Sequence, residues 1–309
     1  MKREKKCGVQ KLKKRKDFTV KFLRIFPVIT LLVLLAGCAA VPVYEDISYF
    51  SFLSSDNDIY LSLNVQKNRT ILSAMLKKMS PEMKDSEINH ILDRTRNLYV
   101  GIILDDANEN QSIELCAEGN FPPLITSAFT RNKGWTKEKL IFPDAAGKMI
   151  KQTSYVHSSG ISLALPNSSI IFLSSNTIEP MLTSFYNPPP SDWPQYALDA
   201  VTNKDDDAKI RSYVPDPGVL LPKIIGLGVQ LALEDATAVA SEVYIPGKPA
   251  QFSADIDLYF KDVRAVKASA ALLKLASMGS QIEIIQKADT HLSLQGVVLS
   301  LDTLLGMKF

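Results

Sequence analysis

The N-terminal region of this chain has the pattern of a leader that precedes the part that folds. Residues 1–24 are strongly basic, residues 25–35 are mostly apolar, and Ala36, Gly37 and Cys38 follow. An apolar run of about a dozen residues is typical of a signal peptide, whereas a transmembrane helix needs about 20 residues. We therefore expect the folded part to be built from the residues after Gly37.

The end of this leader has the pattern of a lipid-attachment signal. Leu35-Ala36-Gly37-Cys38 resembles the lipobox of bacterial lipoproteins, in which a branched residue and two small residues precede an invariant cysteine. The resemblance implies that the Cys38 thiol receives a diacylglyceryl group and that a signal peptidase cuts between Gly37 and Cys38. It also implies that the freed amine is then acylated, for example by palmitate. An alternative interpretation treats the apolar run as an uncleaved anchor and Cys38 as an ordinary core cysteine.

The lipobox resemblance also bears on where the protein resides. It implies a membrane anchor on Cys38 that holds the mature chain on the periplasmic side or the cell surface. In enterobacteria an Asp directly after the cysteine retains lipoproteins in the inner membrane. Ala39 and Ala40 follow the cysteine here, so the outer membrane is favoured. No named family is identified for the mature domain.

Charge and cysteine content limit what the mature chain can be. Residues 1–37 hold eleven Lys/Arg and two Asp/Glu, which leaves 24 basic and 31 acidic residues in 38–309, a net charge of −7. This charge gives no electrostatic reason to propose a nucleic-acid partner.

Cys116 is the one cysteine left after Cys7 departs with the leader and Cys38 is acylated, so no intramolecular disulfide can form. The core must supply the stability, and Cys116 lies in an alternating run typical of a buried strand.

Hydrophobic periodicity predicts both strands and helices. Alternation indicates strands at 59–65, 98–104 and 112–117, and helical spacing indicates helices at 70–79 and 262–278. Both halves show helices alternating with antiparallel strand pairs, which predicts an α+β fold with helices covering antiparallel sheets, and a tandem pair of ferredoxin-like or split-βαβ units fits it. Composition changes divide the chain into a signal peptide (1–37), a tether (38–57), a first α+β domain (58–187), a Pro- and Asp-rich linker (188–209) and a second α+β domain (210–309).

No motif of catalysis or metal binding stands out in the mature chain. Its three histidines, His90, His157 and His291, have no second His or Cys at metal spacing, and HExxH, CxxC and GxSxG are absent. The stretch from Asp106 to Asn110 begins like a calcium loop but has Gln111 where the loop needs glycine. We therefore predict no catalytic residue, no metal and no cofactor.

Aromatic residues beside loops and prolines are candidates for contact with a partner. Tyr186, Trp193 and Tyr196 surround the proline-rich segment, and Trp135 follows Arg131-Asn-Lys-Gly134. Such aromatic residues are common in interfaces. The alternative is that they pack onto their own domain.

These observations favour a non-enzymatic envelope lipoprotein that binds or scaffolds at a membrane surface. Its predicted partners are the membrane, through the lipid on Cys38, and an envelope protein or a lipid. One alternative is a lipid or small-molecule carrier of the periplasm with an enclosed apolar cavity. A third is an envelope hydrolase, which would require a cleft with His157 or His291 near a serine or a carboxylate.

Overall fold

The computed structural model of the chain describes residues 49–79, 84–105, 110–122, 134–144, 146–190, 193–202, 210–218, 232–243, 251–278 and 281–300. The strands in these ranges are β1 (Ile59–Asn64), β2 (Thr95–Asp105), β3 (Asn110–Gly119), β4 (Trp135–Pro143), β5 (Met149–His157), β6 (Ser162–Asn167), β7 (Ile170–Ser174), β8 (Ile210–Pro215), β9 (Leu233–Val243), β10 (Gln251–Phe260), β11 (Glu283–Ala288) and β12 (His291–Ser300). The described helices are α1 (Arg69–Met79), α2 (Asp85–Arg94), α3 (Glu179–Tyr186), α4 (Gln195–Thr202) and α5 (Val263–Ala276), and a 3-10 turn spans Tyr49–Phe52. The five elements predicted above are confirmed, with shifts at their ends.

The strands form one continuous antiparallel sheet in the order β11-β12-β10-β9-β8-β1-β2-β3-β7-β6-β5-β4. The halves of the chain meet where β8 pairs with β1, with Tyr60 opposite Tyr213. Strands that precede and follow residues 188–209 therefore belong to the same hydrogen-bonded layer. The predicted α+β fold of helix-covered, ferredoxin-like units is wrong, because a single large sheet dominates and the described helices cover only parts of it.

Two strands that the sequence pattern does not predict explain this error. In β4 nearly every side chain except Phe142 is exposed or half-buried, so the strand lacks the alternation that marks one buried face. The second, β8, begins just beyond the acidic tract Asp205–Asp207 and supplies the strand that joins the halves. Alternation identifies which face of a strand is buried, but it does not identify the neighbouring strands.

One side of the sheet, here called face A, carries Tyr60, Cys116 and Phe172. The turn Tyr49–Phe52 and helices α3 and α4 pack on its centre and form the largest apolar cluster. Burial raises the pKa of the Cys116 thiol well above its ordinary value, and the predicted buried position of this cysteine is confirmed. Face A thus provides the main core of the fold.

The opposite side, here called face B, carries Leu63, Leu98 and Leu258. Helices α1 and α2 pack on it over β1 and β2, and α5 packs on it over β10, β12 and β11. The helix α5 therefore lies near one edge of the sheet, and β4 forms the other edge. This arrangement leaves the outward side of α5 facing away from the core.

Candidate membrane-contact surface

The predicted lipidation and cleavage residues, Gly37 and Cys38, lie outside the described residues, as does the calcium-like stretch 106–109. The first described residue, Tyr49, lies on face A, where its ring stacks on Tyr99 with the ring centroids 4.7 Å apart. Eleven residue-to-residue steps separate Cys38 from Tyr49, and they can span at most about 40 Å when fully extended. An acyl group on Cys38 would therefore hold the sheet close to a bilayer.

Two of the predicted interface aromatics lie where α4 meets the sheet. The Trp193 ring contacts Tyr60 and Tyr213, with ring centroids 4.5 and 4.7 Å apart. The Tyr196 hydroxyl donates a hydrogen bond to Oδ2 of the buried Asp235, whose Oδ1 accepts the Tyr213 hydroxyl at 2.9 Å. Burial, together with the Asp235 carboxylate, raises the pKa of both tyrosines above their ordinary value. Both aromatics therefore contact the core of their own chain.

The other two predicted interface aromatics lie toward the β4 edge of the sheet. The Tyr186 hydroxyl donates to Gln152 Oε1 at 2.7 Å, and the ring stacks near Phe142. Trp135 lies 5.0 Å from the His157 ring on the edge hairpin β4–β5. The structure brings Trp193 and Tyr196 onto neighbouring parts of face A and leaves Trp135 on a separate apolar cluster.

The histidines lie on three different elements. His90 is exposed on α2, whereas His157 ends β5 and His291 begins β12. His157 Nδ1 lies 2.8 Å from Ser159 Oγ within one turn, and His291 Nε2 lies 3.0 Å from Asp257 Oδ1. Within the described ranges, no group of three or more His, Cys, Asp or Glu residues could hold a metal ion.

Asp257 belongs to the carboxylate-rich side of β10. Burial opposes its ionisation, but hydrogen bonds that include those from Lys287 and His291 outweigh burial and lower the pKa of Asp257 below its ordinary value. Lys287 Nζ lies 3.1 Å from Asp257 Oδ1. The carboxylate is thus an ionised partner of two basic side chains.

The most prominent exposed apolar surface is the outward side of α5. Leu272, Leu275 and the following Met278 are 37%, 62% and 78% exposed. The inward side buries Val266 and Leu273 against the sheet. Because successive residues turn by about 100° around a helix, Leu275 lies at the centre of the outward stripe.

The outward side of α5 also carries positive charge. We define the α5 surface by the residues Arg264, Lys267, Leu272, Lys274, Leu275 and Met278. All three basic side chains are exposed, and no acidic residue occurs between Val263 and Met278. Asp262 precedes the helix and caps it, because its Oδ1 accepts the backbone N–H groups of Arg264 and Ala265 at 2.8 Å each. Large apolar side chains beside cations on an exposed helix face are typical of contact with the membrane interface.

Sequence reasoning identified this helix but missed its exposed apolar side. The signal was present, because Leu272 and Leu273 are adjacent and cannot both face the sheet. Among the described residues, no helix is both long enough and apolar enough to span a membrane.

Comparison with known proteins assigns a family. The family model described as "Outer membrane-associated lipoprotein TP0453" matches residues 45–305. Among solved structures, crystal form I of TP0453 is similar with a TM-score of 0.63 and 18% identity, covering 85% of this chain and 96% of that chain. Crystal form III has a TM-score of 0.60 and 17% identity, covering 84% of this chain and 97% of that chain. Crystal form IV has a TM-score of 0.55 and 18% identity, covering 83% of this chain and 94% of that chain. At these identities the structural likeness shows a shared fold. No curated protein is significantly similar to this chain.

Proposed function

Because the chain belongs to the outer membrane-associated lipoprotein TP0453 family, we propose that it is a non-enzymatic outer membrane lipoprotein with two separate membrane attachments. The first is the acyl groups on Cys38, added as the leader is cut after Gly37. The second is the α5 surface, which lies along the bilayer. The sheet held in this way serves as a binding or scaffolding surface for an envelope partner.

The exposed apolar side chains of α5 carry this proposal. Leu275 and Met278 expose most of their surface to water in an isolated chain, and full burial of such a side chain contributes roughly 1.5–3 kcal/mol. Lys267 and Lys274 flank them and can keep their ammonium groups at the headgroups while their stems cover apolar surface. The acyl chains on Cys38 anchor the chain at its end, whereas the α5 surface would hold the sheet itself against the bilayer.

Acylation is tested by replacing Cys38 with alanine in the producing bacterium. We expect the Cys38→Ala protein to lose labelling by radioactive palmitate and to leave the detergent-rich phase on phase separation. A Cys116→Ala protein is the matched control, because Cys116 is buried within β3. Palmitate labelling that persists in Cys38→Ala would refute the anchor.

The α5 attachment is tested with a chain that starts at Ala39, which lacks acyl groups and contains every described residue. We expect Leu275→Ser with Met278→Ser to reduce co-flotation with phosphatidylcholine vesicles at least about tenfold. Val298→Ser is the control, because Val298 is 59% exposed, close to the 62% of Leu275, and lies on face A. Equal losses in the two variants, or no loss in either, would contradict the proposal.

A carrier of lipids is the second candidate, and one observation on face B favours it. Leu61, Val100, Leu115 and Leu173 are cross-strand neighbours on β1, β2, β3 and β7, and all four remain half-buried. Such a strip of apolar side chains fits an acyl chain. Mass spectrometry of the purified protein tests this function. Bound lipid that is lost in Val100→Asp, while the circular dichroism spectrum is retained, would support the carrier.

A further inference from the structure

A second exposed surface lies on face B of the edge hairpin β4–β5. Lys137, Lys139 and Ile141 of β4 and Met149 and Lys151 of β5 all project from this face, because Lys137 pairs with Tyr155 and Ile141 with Lys151 in the ladder. All five side chains are exposed, Ile141 by 54% and Met149 by 60%. We call these five residues the hairpin surface.

Packing on face A and hydrogen bonds at the tip position the hairpin. On face A, Phe142 is buried in the main core near Tyr186, and Gln152 accepts the Tyr186 hydroxyl. At the tip, Asp144 Oδ1 accepts the backbone N–H groups of Ala146 and Lys148 at 2.9 and 2.8 Å. The lysines of the hairpin surface therefore project from a hairpin whose other face packs on the main core.

The charge of this surface is opposite to that of the mature chain. Three lysines share the face, whereas the two acidic residues of the hairpin lie elsewhere. Glu138 lies on face A, and the Asp144 carboxylate accepts hydrogen bonds within the turn. A concentrated positive surface on a chain of net charge −7 attracts anionic groups locally. The exposed Ile141 and Met149, close to the tip, add apolar contact.

We infer that the hairpin surface binds the anionic headgroups of a phospholipid bilayer, with Ile141 and Met149 entering the interface. This inference rests on the membrane attachment proposed above. It adds three cations at the β4 edge of the sheet to the three cations of the α5 surface near the other edge, and so strengthens the preference for anionic lipid. A second copy of the chain is a poor occupant, because antiparallel pairing of two β4 edges centred on Lys139 would place Lys139 directly opposite the same lysine of the second copy. The acyl anchor keeps the domain within tether length of the bilayer, where each lysine near an anionic surface strengthens binding.

The test compares the chain starting at Ala39 with two triple variants on two kinds of vesicle. One variant carries Lys137→Gln, Lys139→Gln and Lys151→Gln. The control carries Lys67→Gln, Lys77→Gln and Lys84→Gln, three exposed lysines around α1 whose loss changes the net charge equally. The vesicles contain phosphatidylcholine alone or phosphatidylcholine mixed with phosphatidylglycerol, and partition is measured by sedimentation.

We expect the hairpin variant to bind the phosphatidylglycerol vesicles about 10- to 100-fold more weakly than the unchanged chain, and high salt to remove most of this difference. Its binding to neutral vesicles should stay unchanged, and the control should lose little on either. Unchanged binding of the hairpin variant to phosphatidylglycerol, or an equal loss in the control, would overturn the inference. If the hairpin lysines instead cross-link to an acidic envelope protein while vesicle binding is unchanged, the occupant is a protein and the inference is wrong.

The two proposals fail in different measurements. If the α5 attachment is wrong, the Leu275→Ser, Met278→Ser variant will bind neutral vesicles as strongly as the unchanged chain. Failure of the hairpin surface appears on phosphatidylglycerol vesicles alone. Thermal unfolding of each variant, compared with the unchanged chain, verifies that a loss of binding reflects the surface and not the fold.

Discussion

Replacement of Trp193 by alanine removes the ring that packs the segment before α4 onto face A. Its ring centroid lies 4.5 Å from Tyr60, 4.7 Å from Tyr213 and 5.3 Å from Phe50. Truncation of a buried Trp costs about 3–5 kcal/mol, and each aromatic pair contributes about 0.5–1.5 kcal/mol beyond its buried area. Because Trp193 keeps part of its surface exposed, we expect Trp193→Ala to lower the free energy of unfolding by about 2–4 kcal/mol.

The assay is urea unfolding of the chain that starts at Ala39, followed by circular dichroism. Trp193→Phe is the matched variant, because it keeps a ring between Tyr60 and Tyr213, and we expect it to cost less than about 1.5 kcal/mol. A Trp193→Ala loss below about 0.5 kcal/mol, the size usual for surface substitutions, would refute the packing. The ring would then remain available as the interface group that the sequence predicts.

Three further outcomes follow from the same structure. Asp262→Ala should destabilise α5 by about 1 kcal/mol in urea unfolding, because the cap of two backbone N–H groups is lost, and Asp262→Asn should largely restore it. Gly119→Ala should lower the melting temperature sharply, because a Cβ there would lie 2.1 Å from the Arg94 carbonyl oxygen, whereas Gly147→Ala, with open space around it, should lower it less. Burial raises the pKa of Tyr99 and Tyr213 above 10.0 in the fold. The stability that these two tyrosines contribute is therefore fully present below about pH 10 and is lost as the pH rises further. Melting curves recorded at increasing alkaline pH measure this loss.

The periodicity of the sequence predicted several individual elements, but not β4, β8 or the assembly of the strands into one sheet. The cap at Asp262 and the helix after it follow from local sequence, as does the buried strand position of Cys116. The joining of the halves depends on β8, a strand of six residues between β1 and β9. Its pairing is a contact between residues about 150 positions apart, and no local pattern specifies such a partner.

The candidate surfaces were hidden from sequence for a related reason. Leu275 and Met149 are of residue types that are usually buried. Both are exposed, and only the packing of their elements on the sheet reveals this. Trp193 is the reverse case. An aromatic residue beside prolines is typical of an interface, but the Trp193 ring packs onto Tyr60 and Tyr213. Exposure depends on which elements cover a residue, and this coverage is a property of the assembled fold.

Contact between α5 and the bilayer is the central claim, and a fluorescent label at residue 275 tests it most directly in the acylated protein. The thiol introduced by Leu275→Cys can be labelled selectively with an environment-sensitive dye, because Cys116 is fully buried and an acylated Cys38 has no free thiol. Gln195→Cys, exposed on α4 over face A, is the matched control. We predict that reconstitution into outer membrane lipids shifts the emission of the label at 275 to shorter wavelength and leaves that at 195 unchanged. Emission at 275 that stays the same with and without lipid would contradict the account.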